Sequence, residues 1–138
     1  MISGVNHITL SVNELDESFR FYVDVLGFKP IQKNPRSAYL SAGDLWFVIE
    51  RSPDRGAIPA GDLSHIALTV DQATFDTIRK KLVTLGAKVW MDNLSEGEAY
   101  YFLDPSGHKL EIAVSNLENR IAYGKKHWNL GDSIQWFV

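Results

Sequence analysis

The sequence predicts an α+β fold made of two copies of one module, each consisting of strand, helix, strand, strand and strand. Residues 7–12 and 65–70 match position for position, and both are strictly alternating strands that begin with a histidine. A helical pattern follows each strand and is closed by a glycine, Gly27 or Gly86. Repetition of the whole unit predicts one domain of paired βαβββ modules, whose two sheets join side by side around a common concavity.

Alternation in the first strand determines which side chains share a face. It places His7, Thr9 and Ser11 on one side of the sheet and the apolar residues on the other. Asn13 is expected to cap the helix that follows. Two further strands are predicted at residues 37–41 and 45–50.

The second half repeats this order after a segment rich in proline and glycine. Asp71 stands where Asn13 stood and is expected to cap the second helix. A short helix is expected near residues 117–123, followed by an apolar end that packs against a partner or the body of the protein. The expected parts of the single domain, residues 1–138, are a first module at about residues 1–52, a linker at 53–62, a second module at 63–114 and a C-terminal helix and tail at 115–138.

Residues 100–112 are expected to form one hairpin, with turn chemistry at 104–107. Glu111 is unusual there, because it is a carboxylate between Leu110 and Ile112 in an apolar strand. A carboxylate inside a core is costly unless it is paired or binds a metal. The alternative is a glutamate on the solvated face of an edge strand.

Composition excludes several classes of function. The net charge of −3 indicates neither a nucleic-acid surface nor a basic membrane anchor. The chain contains no cysteine, so disulfides, thiolate metal sites and a cysteine nucleophile are excluded. We see neither the blocks of a signal peptide nor an apolar run of bilayer length, and we expect a cytoplasmic protein.

Two histidines at equivalent positions of duplicated strands suggest a shared site. If the duplication brings both first strands together, His7, His65 and Glu111 form a set of two imidazoles and one carboxylate. Such a set suits Mn²⁺, Fe²⁺ or Zn²⁺. The alternative is that both histidines are satisfied core residues. His108 is expected to be exposed, and His127 lies in the tail.

Several longer stretches carry a family resemblance. They are residues 4–10, the helix at 18–27, residues 101–111, Ser95-Glu96-Gly97 and Asn119-Arg120. In these stretches the chain resembles the vicinal oxygen chelate superfamily, which contains glyoxalases, bleomycin-resistance proteins and dioxygenases. Within that superfamily it is most similar to the FosA-type fosfomycin-resistance glutathione transferases.

This resemblance implies a fold of paired βαβββ modules and a module-swapped homodimer. It implies that His7, Glu111 and His65 bind a divalent metal, with His65 contributed by the partner subunit. Mn²⁺ is the expected metal, and Fe²⁺, Zn²⁺, Ni²⁺ and Mg²⁺ are alternatives. The implied reaction is metal-dependent opening of the epoxide of fosfomycin, or of a related small electrophile, by glutathione. Because the chain has no cysteine, the sulfur must come from such a cosubstrate.

Further residues match the family by position. Thr9 matches the hydroxyl residue beside the reacting oxygen, and Tyr101 and Arg120 match residues that act on the substrate. Tyr39 and Trp46, together with Tyr101 and Arg120, match residues that line the pocket or contact the phosphonate. The resemblance also implies a loop that holds K⁺, formed by Asn93, Ser95, Glu96 and Gly97. Without the resemblance, Tyr39 and Trp46 would be read as sheet packing, Arg120 as a surface charge and the loop as a solvated turn.

Three positions depart from the FosA pattern. Met91 replaces a lysine that contacts the drug, Ala99 replaces a serine, and Leu63 replaces a tyrosine. The anion site is therefore expected to be weaker than in the family. Two alternatives stay open: another enzyme of the superfamily, such as a dioxygenase, isomerase or epoxide hydrolase, or a non-catalytic drug-binding protein.

Overall fold

The computed structural model describes residues 1–128 and 133–138. The first module consists of β1 (His7–Val12), α1 (Leu15–Arg20), a π-helical turn (Phe21–Val25), β2 (Lys29–Lys33), β3 (Ser37–Ala42) and β4 (Leu45–Arg51). The second consists of β5 (Ile66–Thr69), α2 (Gln72–Leu85), β6 (Val89–Met91), β7 (Ala99–Leu103) and β8 (Lys109–Ala113), and α3 (Leu117–His127) follows. The predicted βαβββ order is confirmed in both halves.

The two modules form separate sheets with the same topology. The strand orders are β1-β4-β3-β2 and β5-β8-β7-β6, and in each sheet the first strand lies parallel to the last strand of its module. The prediction that one chain joins its sheets side by side is wrong, because in the described residues β1 and β5 each stay at the edge of their own sheet.

Both sheets direct one face towards a single shared core. In β1, His7, Thr9 and Ser11 are exposed while Val12 is fully buried, so the predicted alternation is confirmed. The core contains side chains from both sheets, from α1, from the π-helical turn and from α2; its largest fully buried members include Tyr22, Phe47, Phe75 and Phe102. The opposite face of each sheet is left free to carry polar side chains.

Only one of the two expected helix caps is present. Asp71 accepts a hydrogen bond from the Thr74 backbone N–H, as predicted. The prediction for Asn13 is wrong. Its backbone N–H donates to Ser106 Oγ and its Oδ1 accepts from Arg55, so Asn13 joins distant segments and does not cap α1.

A buried hydrogen bond joins the first helix to the hairpin of the second module. The Tyr22 hydroxyl donates to Asp104 Oδ2 at 2.6 Å, and both residues are buried. The other carboxylate oxygen of Asp104 accepts from the backbone N–H groups of Ser106 and His108. One carboxylate therefore shapes the β7–β8 turn and attaches it to the other module.

His108 was expected to be exposed, but it adds a second link between the modules. Its Nε2 lies 2.6 Å from the Ser11 carbonyl oxygen, at the end of β1. A carbonyl only accepts hydrogen bonds, so Nε2 carries the proton in this contact. The expectation was wrong because nothing local in the sequence shows that β1 ends beside this turn.

The C-terminal segment partly packs on its own helix. The Trp136 ring stacks on Trp128 with centroids 6.1 Å apart, while Phe137 is 85% exposed. A Cβ atom at Gly124 would lie 2.7 Å from the Trp128 ring, so glycine allows this close approach. None of the helices in residues 1–128 and 133–138 combines the length and apolar character needed to cross a bilayer.

Replacing Tyr22 by phenylalanine should destabilise the fold. The Tyr22→Phe change leaves a buried Asp104 oxygen without its donor, and we expect the free energy of unfolding to fall by about 1–3 kcal/mol. Urea unfolding followed by circular dichroism measures this. Tyr123→Phe, at a residue that is 39% exposed, is the matched control and should change stability by less than about 0.5 kcal/mol. Equal effects of the two changes would contradict the assignment.

The same residue predicts a pH dependence. Burial, and then the adjacent Asp104 carboxylate, raise the pKa of Tyr22 well above its ordinary value of 10.0. The neutral phenol is thus favoured in the folded state, so its contribution to stability is complete below the unfolded pKa and is lost as the pH rises above it. Wild-type stability should therefore fall more steeply above about pH 10 than that of Tyr22→Phe.

Candidate active site

Three side chains form a row across the second sheet. Met91 pairs with Tyr101 between β6 and β7, and Tyr101 pairs with Glu111 between β7 and β8. Directly paired residues in antiparallel strands point to the same face. Glu111 is only 8% exposed and lies in a strand with neighbours on both sides, so the alternative of a solvated edge position is wrong.

His65 lies beside this row and is held at both ring nitrogens. Its Nδ1 is 2.8 Å from the Leu63 carbonyl oxygen, and its Nε2 is 3.0 Å from Glu111 Oε1. Because the carbonyl can only accept, Nδ1 carries the proton, and in the neutral ring Nε2 is then an acceptor. Two acceptors face each other at 3.0 Å, an arrangement that requires a shared proton or a bound cation.

Two aromatic rings lie beside the imidazole. Trp90 and Tyr101 have centroids 5.2 and 6.0 Å from that of His65, and the two rings meet edge to face. The Trp90 indole N–H donates to the Leu110 carbonyl at 3.0 Å, which fixes its orientation. Sequence reasoning did not assign Trp90 to the site. The strand pattern hid it, because Trp90 lies at an irregularity between Val89 and Met91.

Tyr101 is kept in its neutral form. Burial raises the pKa of its phenol above the usual 10.0, and the Glu111 carboxylate acts in the same direction. Hydrogen bonding with Ser95 and the charge of Arg120 act against this shift. The hydroxyl is therefore available as a hydrogen-bond donor at neutral pH.

Arg120 is attached to the loop that precedes β7. Its Nε donates to Glu96 Oε1 at 2.9 Å, and Ser115 Oγ donates to the same oxygen at 2.7 Å. The hydrogen bond from Ser115, and then that from Arg120, hold the pKa of Glu96 below its usual value. Glu96 Oε2 is buried and has no partner among the described residues, so one carboxylate oxygen is free for a cation.

The remaining loop residues stabilise one another. Asn93 Oδ1 accepts from the backbone N–H and the hydroxyl of Ser95, and Asn93 Nδ2 donates to the Gly97 carbonyl. Gly97 adopts a φ of 76°, which favours glycine. The loop thus has a defined shape that presents Glu96 to Arg120.

A second group of predicted site residues lies on the first sheet. His7 faces Trp46 with ring centroids 4.4 Å apart, and Trp46 meets Tyr39 at 5.3 Å. Thr9 is exposed on the same side of β1 as His7. His7 Nδ1 lies 2.7 Å from Asn6 Oδ1, which leaves Nε2 as the acceptor in the neutral ring.

One chain does not bring the two groups together. Within residues 1–128 and 133–138 no set of three or more potential metal-binding side chains is close enough to hold an ion. The expectation that His65 would come from a partner subunit to meet Glu111 is wrong, because one chain holds both residues in contact. The residue that lies apart is His7.

The donor set nevertheless fits a divalent cation. In both histidines Nδ1 is hydrogen-bonded to an oxygen atom, which leaves Nε2 as the nitrogen that can bind a metal. Metal-binding histidines are oriented by such a contact at the other ring nitrogen. Two imidazoles and a carboxylate suit a divalent transition-metal ion with open positions for substrate.

The three departures noted in the sequence occupy different places. Met91 belongs to the row with Tyr101 and Glu111 and is half-buried. Ala99 begins β7 and is buried, while Leu63 is 69% exposed and contributes its carbonyl oxygen to His65. Met91 and Ala99 therefore both replace polar side chains on the face that carries Glu111, because Ala99 alternates in register with Tyr101 along β7.

Comparison with known proteins identifies relatives over nearly the whole chain. The family model of the Glyoxalase/Bleomycin resistance protein/Dioxygenase superfamily matches residues 4–112. The chain is 38% identical over 124 residues to glutathione transferase FosA of Serratia marcescens, with 88% of each protein covered. It is 34% identical over 133 residues to metallothiol transferase FosB of Lysinibacillus sphaericus, with 91% of this chain and 92% of that protein covered.

Solved structures show the same architecture. The fosfomycin resistance protein FosX from Mesorhizobium loti superposes with a TM-score of 0.72 at 28% identity, covering 88% of this chain and 99% of the other. FosX from Listeria monocytogenes superposes with a TM-score of 0.75 at 25% identity, covering 87% and 99%.

Divalent metal should bind at the His65–Glu111 contact and stabilise the protein. We expect Mn²⁺ at about a hundred times its dissociation constant to add about 2.7 kcal/mol to the free energy of unfolding. Glu111→Ala should abolish this gain. Glu50→Ala, at an exposed carboxylate on the first sheet, is the control and should retain it. Thermal unfolding with and without Mn²⁺ measures the effect, and equal gains in wild type and Glu111→Ala would contradict the assignment.

Proposed function

Since this chain belongs to the glyoxalase/bleomycin resistance protein/dioxygenase superfamily, we propose that it is a metal-dependent thiol transferase that opens the epoxide of fosfomycin or of a related small electrophile. The relatives similar over most of the chain are named as thiol-using transferases, and FosX from Mesorhizobium loti is named as a fosfomycin resistance protein, which supports an enzyme of that group. Glutathione is the proposed thiol, because the relative named as a glutathione transferase is 38% identical to this chain.

One observation carries the proposal: His65 Nε2 and Glu111 Oε1 face each other at 3.0 Å beside the rings of Trp90 and Tyr101, and the Leu63 carbonyl engages the other ring nitrogen. A bound cation resolves that contact. We propose Mn²⁺ as the ion, in keeping with a crystal structure of FosX from Listeria monocytogenes in complex with Mn(II). Fe²⁺, Zn²⁺, Ni²⁺ and Mg²⁺ are the alternatives.

The third proposed ligand is His7 of a second copy of the chain. The exposed face of the first sheet carries His7, Thr9, Tyr39 and Trp46, and the second sheet carries His65 and Glu111. Apposition of these two faces between two chains joins both groups. The site is therefore proposed to form in a homodimer with two equivalent composite centres.

The chemistry divides between metal and side chains. When bound, the metal supplies Lewis acidity towards a substrate oxygen. The thiolate sulfur forms a bond to an epoxide carbon, the carbon–oxygen bond breaks, and the released oxygen takes up a proton. The neutral Tyr101 hydroxyl and the Thr9 hydroxyl are proposed as hydrogen-bond donors to substrate oxygens, and the free amino groups of Arg120 as donors to the phosphonate.

The loop at Asn93, Ser95, Glu96 and Gly97 is proposed as a K⁺ site. Its support is the buried Glu96 Oε2, an unpartnered carboxylate oxygen within the described part of the chain. A monovalent cation there compensates that charge. The cation also weakens the electrostatic attraction between Glu96 and Arg120, which makes the guanidinium more available to an anionic substrate.

A second candidate is another reaction on the same scaffold, such as epoxide hydrolysis, isomerisation or dioxygenation. The observation that favours it is Met91, which places a thioether in the row with Tyr101 and Glu111. The cations near this face already have partners: Lys109 donates to backbone carbonyls, and Arg120 donates through its Nε to Glu96 and keeps only its terminal amino groups for a substrate. A weaker anion site favours substrates with less charge than a phosphonate dianion. The carboxylate beside His65 argues against a purely drug-binding protein.

Mn²⁺-loaded protein should join glutathione to fosfomycin. Phosphorus NMR should detect the adduct only when metal and thiol are both present, with faster formation in K⁺ than in Na⁺. His7→Ala and Glu111→Ala should each reduce the rate by at least about 100-fold, because each removes a metal ligand. Diol without thiol would instead support the hydrolase candidate, and full activity after metal removal would refute both.

Mixing two inactive variants tests the composite site. A dimer of one His7→Ala chain and one Glu111→Ala chain has one centre with both ligands and one with neither. After denaturation and refolding of an equal mixture, we expect about a quarter of wild-type activity, since half the dimers are mixed and each has one of two centres intact. His65→Ala mixed with Glu111→Ala is the control and should stay inactive, because one chain supplies both residues. No recovery in the first mixture would contradict the shared site.

A further inference from the structure

Lys109 binds the segment that leads into His65. It begins β8, and its Nζ donates to the carbonyl oxygens of Pro59 and Ala60 at 3.2 Å each and to that of Asp62. The Asp62 backbone N–H donates to the Pro59 carbonyl, so residues 59–62 form a tight turn. Three carbonyl oxygens of this turn thus converge on one ammonium group.

This convergence depends on the positive charge. Carbonyl dipoles that point at one position repel one another, and an ammonium with three donors compensates all three. Lys109 also lies over the Trp90 ring, with Nζ 5.4 Å from the centroid. The charge is therefore held between the turn and one of the rings beside His65.

Two local hydrogen bonds connect the turn to the His65 imidazole. Asp62 Oδ1 accepts from the Ser64 backbone N–H at 2.8 Å, and the intervening Leu63 offers its carbonyl to His65 Nδ1. Alternation along β8 puts Lys109 on the same face as Glu111, two residues further on. The strand that carries Glu111 thus also holds the chain segment that orients His65.

We propose that Lys109 is a positioning residue: it fixes the 59–62 turn and with it the Leu63 carbonyl, so that His65 keeps its proton on Nδ1 and directs Nε2 towards Glu111. The metal-ligand role of His65 rests on the proposed function, whereas the orientation of its ring does not. Without the ammonium the carbonyls separate, the Leu63 oxygen moves and the imidazole samples its other tautomer.

The experiment compares Lys109→Met with Lys81→Met. Both changes remove an ammonium and keep an unbranched side chain of similar length. Lys81 Nζ also donates to a backbone carbonyl, that of Asp24 on the helical side of the molecule, which makes it a matched control. Nitrogen–proton NMR of metal-free protein reads the tautomer of each histidine ring, and His65→Gln assigns the signal.

Wild type and Lys81→Met should show a proton on His65 Nδ1 in all molecules, with Nε2 either bare or sharing a second proton with Glu111. Lys109→Met should show part of the molecules without the proton on Nδ1. The Mn²⁺ dissociation constant should rise by about 10- to 100-fold in Lys109→Met only, as expected when the partner of a metal ligand is lost. Lys109→Arg keeps several donors and should recover most of both properties. An unchanged tautomer and Mn²⁺ affinity in Lys109→Met would overturn the proposal.

Two further outcomes are separated by design. If Lys109→Met does not fold, the same NMR signals are measured in Lys109→Gln, whose side chain retains two donors. A partial loss of the proton on His65 Nδ1 in that variant supports the proposal, and a wild-type spectrum overturns it. If no thiol adduct forms with any protein, the proposed function fails. The tautomer measurement stands independently, since it uses neither metal nor substrate.

Discussion

The contact between His65 Nε2 and Glu111 Oε1 is the constraint on which the site depends. A neutral imidazole has one N–H group, and in His65 this group donates to the Leu63 carbonyl. Nε2 and the carboxylate oxygen that faces it are then both acceptors. Such a contact is unfavourable in itself and becomes favourable only around a proton or a cation. The rings of Trp90 and Tyr101 beside this contact lower the local polarity. The two acceptors therefore repel each other more strongly when no cation is bound, and they attract a bound cation more strongly.

Duplication of one module explains why the site is divided. Each sheet buries one face in the shared core, and links such as the Tyr22–Asp104 hydrogen bond hold the two modules of one chain together. The faces opposite the core carry the functional side chains. His7 therefore belongs to one sheet and the His65–Glu111 pair to the other. The chain thus carries both proposed half-sites, and the proposed homodimer would complete two centres.

Several properties of the site were predictable because they depend only on how side-chain directions alternate along a strand. Alternation in β1 correctly grouped His7 with Thr9, and the apolar setting of Glu111 correctly indicated a buried carboxylate. Predictions that required distant contacts were wrong. Asn13 was expected to cap a helix and binds Ser106 and Arg55, and His108 was expected in solvent and binds the Ser11 carbonyl. Trp90 and Lys109 were not assigned to the site, since their partners lie in other segments.

The sequence by itself determined the two βαβββ modules and the face on which each functional side chain lies, because strand alternation and helix spacing act over a few neighbouring residues. Only the tertiary structure decided which side chains meet. Glu111 contacts His65 and not His7 because β8 pairs with β5, and β1 pairs with β4 in a separate sheet. The order of the strands is set by packing of the whole core. The sequence alone therefore does not show that His65 and Glu111 are the residues that face each other.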